Sequence, residues 1–279
     1  MNYRILAVDM DGTVLNSEKK ISPRTEAAIH RAFEEGSQVV FCTGRNLIEV
    51  QAYLDLFPEM RYVILCSGAV VKDLRTGEEL YRNPLKKEIT DRVAEACKRF
   101  DVNLNCFVGD NLYAPKAARG RLEHFNCQCF HELHEACAVW MDDPYEAALA
   151  EPDRIMKLNL FFHDPEEYAR MGELLDELGV NHPAAIPYHH EVSPADVSKA
   201  VGLRVLCDHL GLSMEEAIAC GDEGNDREML LAAGLGAAMG NGSEAAKSAA
   251  DVIVADCDHD GVAEVIERYL GKPVLNREN

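Results

Sequence analysis

The stretch that decides the fold is Ile5-Leu6-Ala7-Val8-Asp9-Met10-Asp11-Gly12-Thr13, in which four apolar residues run directly into two carboxylates. The apolar run predicts a buried strand, and alternating side chains on an extended chain would put Asp9 and Asp11 on the same side. Gly12 permits the backbone to turn immediately afterwards. Because ligands in open α/β sheets collect at the carboxyl ends of strands, the pair is a candidate catalytic centre.

Chance offers an alternative interpretation of this pair. A D-x-D triplet is expected several times over in a chain with 48 acidic residues, and an isolated one is typical of an exposed turn with a side chain-to-backbone hydrogen bond. The context favours a functional role, since a hydrophobic strand precedes the triplet and three further polar signals follow later strands.

Composition limits the class of protein and of partner. With 279 residues, 47% of them hydrophobic, the chain can bury a large core, and its length favours two domains or one core with a large insertion. The formal net charge of −20 would repel the phosphates of nucleic acid and of anionic membranes, so neither is expected as a partner. A phosphorylated substrate would need local positive charge.

Cysteine usage and hydropathy bear on the compartment. The ten cysteines form no Cys-x-x-Cys framework, and the closest pair, Cys127-Gln128-Cys129, lacks a second pair at zinc spacing. Buried reduced thiols in a reducing cytosol are expected. Neither a leader-like start nor a run of about 18 apolar residues is present, so we expect a soluble, unprocessed, cytoplasmic protein; the sequence does not indicate its oligomeric state.

Strand and helix patterns alternate from the start of the chain. Strands are predicted at residues 5–8, 38–42 and 62–66, with helices at 23–35 and 47–56 between them. This β-α-β-α-β order predicts right-handed crossovers and a parallel sheet.

The pattern changes after the third strand. Residues 70–82 predict a hairpin around Thr76-Gly77, and Asn83-Pro84 marks a domain boundary. Segment 84–187 predicts an α/β domain, with helices at 88–100 and 165–178 and strands at 102–108, 155–162 and near Ala185, while 120–151 shows no firm pattern. Alternation then resumes, with helices at 198–209, 243–250 and 262–270 and strands at 217–220, 236–239 and 252–254. The predicted core is therefore discontinuous, comprising 1–83 and 188–279.

Four polar sites are predicted to meet at the strand ends of the core sheet: Asp9 with Asp11, Thr43, Lys199, and Asp222 with Asp226. So many carboxylates in one cleft repel each other, which implies a cation. Oxygen ligands without His or Cys favour a hard divalent ion, and Mg²⁺ is the usual choice with phosphates. Taken singly, Thr43 could instead be a helix or turn cap, and Lys199 could point to solvent.

The four sites together resemble the motifs of the haloacid dehalogenase superfamily and, within it, the Cof-like sugar-phosphatase branch. The matching segments, in chain order, are Asp9-Met10-Asp11-Gly12-Thr13, Cys42-Thr43-Gly44-Arg45, Ser198-Lys199 and Gly221-Asp222-Glu223-Gly224-Asn225-Asp226. The resemblance implies an α/β fold with a Rossmann-like core, a parallel sheet and an inserted α/β cap domain over the active site.

The same resemblance implies a reaction and a cofactor. Asp9 would be the nucleophile that forms an aspartyl-phosphate, and Asp11 the general acid and then the general base. Mg²⁺ would be held by Asp9, by the backbone carbonyl of Asp11 and by Asp222. The function implied is Mg²⁺-dependent hydrolysis of phosphate monoesters of small metabolites, such as sugar phosphates.

Further residues receive roles by the same analogy. Thr43, Gly44 and Lys199 would bind the phosphate, while Asp226 and Asn225 would orient Lys199 and the metal-bound waters. Asn225 could also bind substrate. Arg45 could contact the phosphate or the substrate, or simply cover the following helix.

Two alternatives to the phosphatase interpretation stay open. A phosphomutase uses the same Asp9 and Asp11 pair and passes the phosphoryl group to a substrate hydroxyl instead of water. The chain could also be a catalytically idle metabolite-binding or regulatory protein that kept the fold.

Some positions depart from the family pattern or have uncertain roles. Ser67 replaces an asparagine usual after the third strand, and Asp196 and Ala200 replace glycines near Lys199, where an added charge could shift the lysine. Lys157 on a predicted cap strand could reach the substrate. His189-His190 is more typical of a solvated strand end than of a metal site.

Overall fold

The structure is a computed structural model that describes residues 2–273. Its strands are β1 (Ile5–Val8), β2 (Gln38–Phe41), β3 (Tyr62–Leu65), β4 (Val70–Asp73), β5 (Glu79–Arg82), β6 (Val102–Val108), β7 (Asn111–Pro115), β8 (Ala138–Met141), β9 (Ile155–Phe162), β10 (His189–Val192), β11 (Ala217–Gly221), β12 (Leu235–Ala238) and β13 (Val252–Ile253). Its helices are α1 (Pro23–Glu34), α2 (Leu47–Leu54), α3 (Lys87–Cys97), α4 (His131–Cys137), α5 (Pro144–Ala148), α6 (Pro165–Leu178), α7 (Lys199–Leu210), α8 (Arg227–Ala232), α9 (Glu244–Lys247) and α10 (Gly261–Tyr269).

The chain divides into two compact units. The first contains Met1–Arg45, Ala52–Arg82 and Ser198–Asn279, and the second contains Asn46–Gln51 and Asn83–Val197. Compared with the predicted segment 84–187, the second unit extends further, because β10 pairs with β9 and so belongs to the sheet of that unit.

The first unit is built on a parallel sheet with the strand order β13-β12-β11-β1-β2. Strand β1 lies at an inner position, where Val8 is in register with Cys220 of β11 and Phe41 of β2. All four residues of β1 are buried, as expected for a strand covered on both faces. The register brings the carboxyl ends of these three strands to one edge of the sheet.

Helix boundaries in this unit follow from local capping chemistry. Ser22 accepts a hydrogen bond from the Thr25 amide at the start of α1, with Pro23 in the first helical position. Ser198 caps α7 in the same way, and Gly211 ends that helix in the left-handed conformation. The caps therefore fix where Lys199, the first residue of α7, enters the fold.

Strand β3 differs from the predicted third strand of the parallel sheet. It pairs antiparallel with β4, which pairs with β5, in a separate three-stranded sheet. Contact with β2 continues through one parallel bridge, Cys42 to Ile64, and through the hydrogen bond from the Thr43 amide to the Ile64 carbonyl at 3.0 Å. The chain reverses directly after β3, so the returning strand β4 becomes its main partner.

The second unit is a five-stranded sheet in the order β10-β9-β6-β7-β8, antiparallel except between β7 and β8. Helices α3 and α6 pack on one face of it, over an apolar cluster that includes Leu158, Leu160 and Phe162. The strand expected near Ala185 begins at His189. Residues 120–151, which show no firm sequence pattern, contain α4, β8 and α5.

No helix between residues 2 and 273 is long and apolar enough to cross a membrane. Seven of the ten cysteines are buried. Burial raises the pKa of thiols such as Cys106 and Cys220 well above the ordinary value, so these side chains stay protonated and act as small apolar groups.

Candidate active site

Asp9 follows the last residue of β1 and is 7% exposed. Its amide donates to the Cys220 carbonyl at 2.9 Å, which continues the ladder with β11 for one more residue. Its carboxylate accepts a hydrogen bond from the ammonium of Lys199, with 2.5 Å between Nζ and Oδ1. Burial raises the pKa of Asp9, against the opposing effect of Lys199.

Lys199 is a fully buried ammonium group between two carboxylates. Its Nζ lies 2.5 Å from Asp9 Oδ1 and 2.6 Å from Asp226 Oδ1, and the residue is 1% exposed. Burial alone would lower the pKa of Lys199, but the charges of Asp226 and Asp9 outweigh burial and raise it. The lysine therefore stays protonated and holds Asp9 in place.

Asp226 is the fixed support of this lysine. Its second oxygen, Oδ2, accepts from the amides of Asp222 and Glu223, each at 3.0 Å, and the residue is 0% exposed. The carboxylate packs so closely on the loop that a Cβ at Gly221 would lie 2.4 Å from Asp226 Cγ. Asp226 therefore orients both Lys199 and the backbone that carries Asp222.

Asp222 lies against the turn that follows the first carboxylate pair. Its Oδ1 accepts from the Thr13 hydroxyl at 2.7 Å, and a Cβ at Gly12 would lie 2.3 Å from its Oδ2. Gly12 has a φ of +76°. Only glycine meets both demands, the left-handed backbone and the close approach of the carboxylate.

The carboxylates fit a hard cation. Single oxygens of Asp9, Asp222 and Asp226 lie within 4.8 Å of one another, and all three residues are buried. Burial is the main cause that raises the pKa of Asp222 to about 6. The negative charge of this carboxylate is therefore not fully balanced by positive charge nearby. Because Asp226 already binds Lys199 and two amides, the oxygens suited to a divalent ion are those of Asp9 and Asp222.

Asp11 is held by two cations. Arg45 donates to both of its oxygens, from Nε and Nη2 at 2.7 Å each, and Lys19 Nζ donates at 2.8 Å. Partial burial would raise the pKa of Asp11, but the hydrogen bonds and charge of Arg45, with those of Lys19, lower it to about 2. The side chain remains 42% exposed, so Asp11 is an accessible, ionised carboxylate.

The Thr43 hydroxyl lies at the end of β2 and is buried, at 1% exposure of the residue. Its oxygen accepts from the Arg45 amide at 3.1 Å, so the hydroxyl hydrogen is left to donate elsewhere. Gly44 lies between the two residues. One short turn after β2 therefore carries both the Thr43 hydroxyl donor and the Arg45 side chain that binds Asp11.

Four other residues singled out in the sequence differ in their exposure and contacts. Asn225, expected to orient Lys199, is exposed, and the hydrogen bonds of the Lys199 ammonium go to Asp9 and Asp226 instead. Ser67 adopts a left-handed φ of +57°, and its amide donates to the Thr43 carbonyl at 2.9 Å. Asp196 accepts from the Asn83 amide group at 3.0 Å, which gives its charge a neutral partner. Ala200 is buried in α7.

Sequence reasoning assigned no role to Thr13, Lys19 or Tyr53. Thr13 stood within the first motif, so its proximity to the carboxylates was a usable signal. Lys19 adopts a φ of +59° in the loop after the motif, and its carbonyl accepts from the Tyr53 hydroxyl at 3.0 Å. The Tyr53 ring lies 5.6 Å from the Arg45 guanidinium carbon. These contacts depend on loop geometry that no motif encodes.

Comparison with known proteins identifies the family. The family model described as haloacid dehalogenase-like hydrolase matches residues 6–266. The chain belongs to this family. The match confirms the resemblance that the four motifs indicated, and it spans both units of the haloacid dehalogenase-like hydrolase described above.

Relatives and solved structures agree with that assignment. The chain is 28% identical to the putative phosphatase YxeH of Bacillus subtilis, over 96% of this chain and 98% of the relative. It is also 28% identical to the HMP-PP phosphatase of Klebsiella pneumoniae, over 98% of this chain and 97% of the relative. A crystal structure of a haloacid dehalogenase-like hydrolase from Bacteroides thetaiotaomicron superposes with a TM-score of 0.84 at 28% identity, covering 96% and 99% of the two chains.

Proposed function

We propose that this hydrolase removes phosphate from phosphate monoesters of small metabolites, with Asp9 as the nucleophile. The observation that carries the proposal is the contact of Lys199 Nζ with Asp9 Oδ1 at 2.5 Å, with Asp222 and Thr43 at the ends of strands in the same unit. A carboxylate that attacks a phosphate dianion needs positive charge beside it, and Lys199 supplies that charge. The names of the relatives support the same reaction class.

Magnesium is the cofactor that the donor set fits best. Asp9 and Asp222 would hold the ion, together with the backbone carbonyl of Asp11. When bound, Mg²⁺ supplies positive charge to the phosphoryl oxygens. Thr13 would keep Asp222 oriented, since its hydroxyl donates to Oδ1 of that carboxylate.

The reaction proceeds in two displacements. An oxygen of Asp9 attacks phosphorus in line, the bond between phosphorus and the alcohol oxygen breaks, and Asp11 gives the departing oxygen a proton. Water then attacks the aspartyl-phosphate and loses a proton to Asp11. The bond between phosphorus and Asp9 breaks, which releases inorganic phosphate and restores the Asp9 carboxylate.

Arg45 has a positioning role in this scheme. Its two hydrogen bonds hold the Asp11 carboxylate in its ionised, proton-accepting form. To donate a proton in the first displacement, Asp11 must take one up and loosen this pair. Thr43 and Gly44 would bind the phosphoryl oxygens, and the exposed Asn225 remains available for substrate.

Phosphate release tests the function directly. The protein is incubated with Mg²⁺ and a panel of sugar, polyol and aryl phosphates, and both inorganic phosphate and the organic product are measured. We expect phosphate and free alcohol in equal amounts. An isomeric phosphate ester without free phosphate would indicate a phosphomutase, and no reaction with any ester would contradict the proposed function.

A further inference from the structure

Two histidines of the second unit meet beside its edge strand β10. His190 lies in β10, and His182 lies shortly after the end of α6. The segment that carries His182 runs antiparallel to β10, since Asn181 and Ser193 exchange backbone hydrogen bonds at 3.0 and 2.9 Å. Alternation of side chains along both segments places the two histidines on the same face. Their ring centres lie 5.1 Å apart.

The surroundings of the pair differ from the sequence prediction. His189-His190 was expected to be a solvated strand end, but both residues are buried, at 1% and 3% exposure. The His190 ring stacks on Tyr168 of α6, with 4.2 Å between ring centres, and a Cβ at Gly172 would lie 3.4 Å from His190 Cε1. The His182 side chain is 21% exposed. Solvent therefore reaches the pair from the side of His182.

The outer nitrogen of each ring contacts a group that can only accept a hydrogen bond. His182 Nε2 lies 3.0 Å from Asp176 Oδ1, and His190 Nε2 lies 3.0 Å from the Tyr168 carbonyl oxygen. Because a carboxylate and a carbonyl have no hydrogen to donate, the ring nitrogen donates in both contacts. A neutral imidazole carries a single N–H, which is thereby placed on Nε2. Nδ1 of both rings is left as an acceptor.

These two acceptor nitrogens face each other. His182 Nδ1 lies 3.2 Å from His190 Nδ1. Two lone pairs at this separation repel each other unless a cation lies between them, and either a third proton or a metal ion meets that need. Burial lowers the pKa of His190, which disfavours the additional proton and leaves the lone pairs available to a metal ion.

The geometry of the pair fits a divalent transition metal ion. Imidazole nitrogens bind Zn²⁺ at about 2.0–2.1 Å, so two of them on a tetrahedral ion are about 3.3 Å apart, close to the 3.2 Å between the two Nδ1 atoms. A metal-binding histidine usually donates its other N–H to a carboxylate or a backbone carbonyl. His182 and His190 show one contact of each kind. Mg²⁺ is unsuited to this pair, because it prefers oxygen ligands.

We propose that His182 and His190 bind a divalent transition metal ion through their Nδ1 atoms, with Zn²⁺ as the best match. Water completes the coordination of the ion from the exposed side of His182. The ion joins the segment after α6 to β10 and so stabilises the second unit. The site shares no residue with the carboxylate cluster of Asp9, Asp222 and Asp226, and it does not depend on the proposed phosphatase function.

Zinc binding by the whole chain tests this site. Isothermal titration calorimetry with ZnCl₂, in millimolar Mg²⁺ that competes for the carboxylates, measures the number of Zn²⁺ ions bound per chain and their affinity. His182→Gln and His190→Gln each remove one ligand. His163→Gln is the matched control, because His163 stacks on His124 at 4.2 Å, yet its Nδ1 contacts the His124 carbonyl oxygen at 3.0 Å and not a ring nitrogen.

We expect the wild type and His163→Gln to bind equal numbers of Zn²⁺ ions, and each ligand variant to bind one fewer. Asp176→Asn keeps both ligands but weakens the support of His182, so it should lower the affinity for that ion by about tenfold. Zn²⁺ should also raise the Tm of the wild type more than that of His182→Gln.

Two results would overturn the inference. One is an equal number of Zn²⁺ ions on the wild type and on folded His182→Gln. The other is a wild type that binds no Zn²⁺, which would leave a shared proton as the cation between the two rings. If His190→Gln fails to fold, as judged by circular dichroism, His182→Gln and Asp176→Asn still decide the outcome, because both change side chains that solvent reaches.

Discussion

At the scale of single residues, the site is held by a buried ammonium group between two carboxylates. The cost of removing such ions from water commonly offsets the attraction between their charges. The contacts of Lys199 with Asp9 and Asp226 are therefore expected to add little to the stability of the fold. Their arrangement is better evidence for a role in chemistry. Both oxygens of Asp226 are engaged, by Lys199 and by two amides, whereas single oxygens of Asp9 and Asp222 lie within 4.8 Å of one another.

Loss of Asp222, the proposed metal ligand, should have an effect that is measurable without any turnover. An ion that binds only the folded state stabilises it, so millimolar Mg²⁺ should raise the Tm of the wild type, and Asp222→Asn should abolish most of that rise. Thermal unfolding followed by circular dichroism, with and without EDTA, measures the shift. Glu223→Gln, which changes an exposed carboxylate in the same loop, serves as the control. A full Mg²⁺-dependent shift in Asp222→Asn would remove this residue from the metal site.

Loss of Arg45 should slow turnover by about 10- to 100-fold, because Asp11 loses its two-point support. The pKa of Asp11, now about 2, should rise toward the ordinary value of 3.8, so the acid limb of the kcat profile should move to higher pH in Arg45→Ala. Arg45→Lys should restore only part of the rate, since lysine lacks the planar fork.

The control for Arg45 is another arginine paired with an aspartate in the same unit. Arg61 donates from Nε and Nη2 to Asp73 Oδ2 at 2.9 and 2.7 Å. Arg61→Ala should leave the pH profile unchanged. Equal effects of the two alanine variants on kcat would argue against a specific role for Arg45.

At the scale of elements, the loop after β3 sets the position of α7. A Cβ at Gly68 would lie 2.0 Å from the Ser198 carbonyl oxygen, and a Cβ at Gly202 would lie 2.5 Å from the Ile64 side chain. Both glycines allow the first turn of α7 to pack directly on the chain that leaves β3. Because Lys199 begins that helix, its reach to Asp9 depends on this packing.

Gly68→Ala should therefore cost about 3 kcal/mol of unfolding free energy and reduce kcat, since backbone must move and α7 with it. Gly77→Ala is the matched control, because Gly77 also has a positive φ, +76°, but has open space around its Cβ position. That variant should cost only about 1 kcal/mol and keep full activity. Urea unfolding measures the stability of each variant, and steady-state kinetics measure its kcat. If the two variants lost stability and kcat equally, the packing of Gly68 on Ser198 would not be what positions Lys199.

The elements that could be predicted from sequence are those with local signals. Helices α1 and α6 begin at Pro23 and Pro165 beside Ser and Asp caps, and the strands β6 and β9 are long apolar or alternating runs. The partner of β3 could not be predicted, because strand pairing depends on where the following hairpin folds back. The elements between residues 120 and 151 are too short to show a periodic pattern, although α5 begins at Pro144 with Asp143 as its N-cap.

The residues of the site divide in the same way. It was predictable that Asp9 and Asp222 would lie close together and that Thr43 would follow a neighbouring strand, because parallel strands end at a common edge. The contacts of Lys19 and Arg45 with Asp11 could not be predicted, because both side chains extend from loops whose conformations depend on the rest of the fold.

At the scale of the whole molecule, two buried histidines make the stability of the fold depend on pH. Burial lowers the pKa of His134 and of His189, each to about 4 from an ordinary value of 6.5. Between these pH values the unfolded chain binds protons that the folded chain does not. Stability is therefore fully present above pH 6.5 and is lost as the pH falls toward 4.

A double variant tests this dependence. Each histidine should contribute about 3 kcal/mol of lost stability across that window, so the urea midpoint of the wild type should fall steeply from pH 7 to pH 5. In His134→Gln with His189→Gln the fall should be much shallower. His259→Gln alters an exposed histidine and should reproduce the wild-type slope. A parallel fall in the double variant would show that other groups cause the acid sensitivity.

The central claim is that Asp9 is the nucleophile, and the most direct test is phosphate release by Asp9→Asn. The variant keeps the size of the side chain and removes its charge, and Asp208→Asn on the exposed face of α7 controls for the substitution itself. With Mg²⁺ and the best ester of the panel, kcat of Asp9→Asn should fall below about 1% of wild type with an unchanged circular dichroism spectrum, while Asp208→Asn stays active. Folded Asp9→Asn protein that still releases phosphate above that level would contradict the assignment.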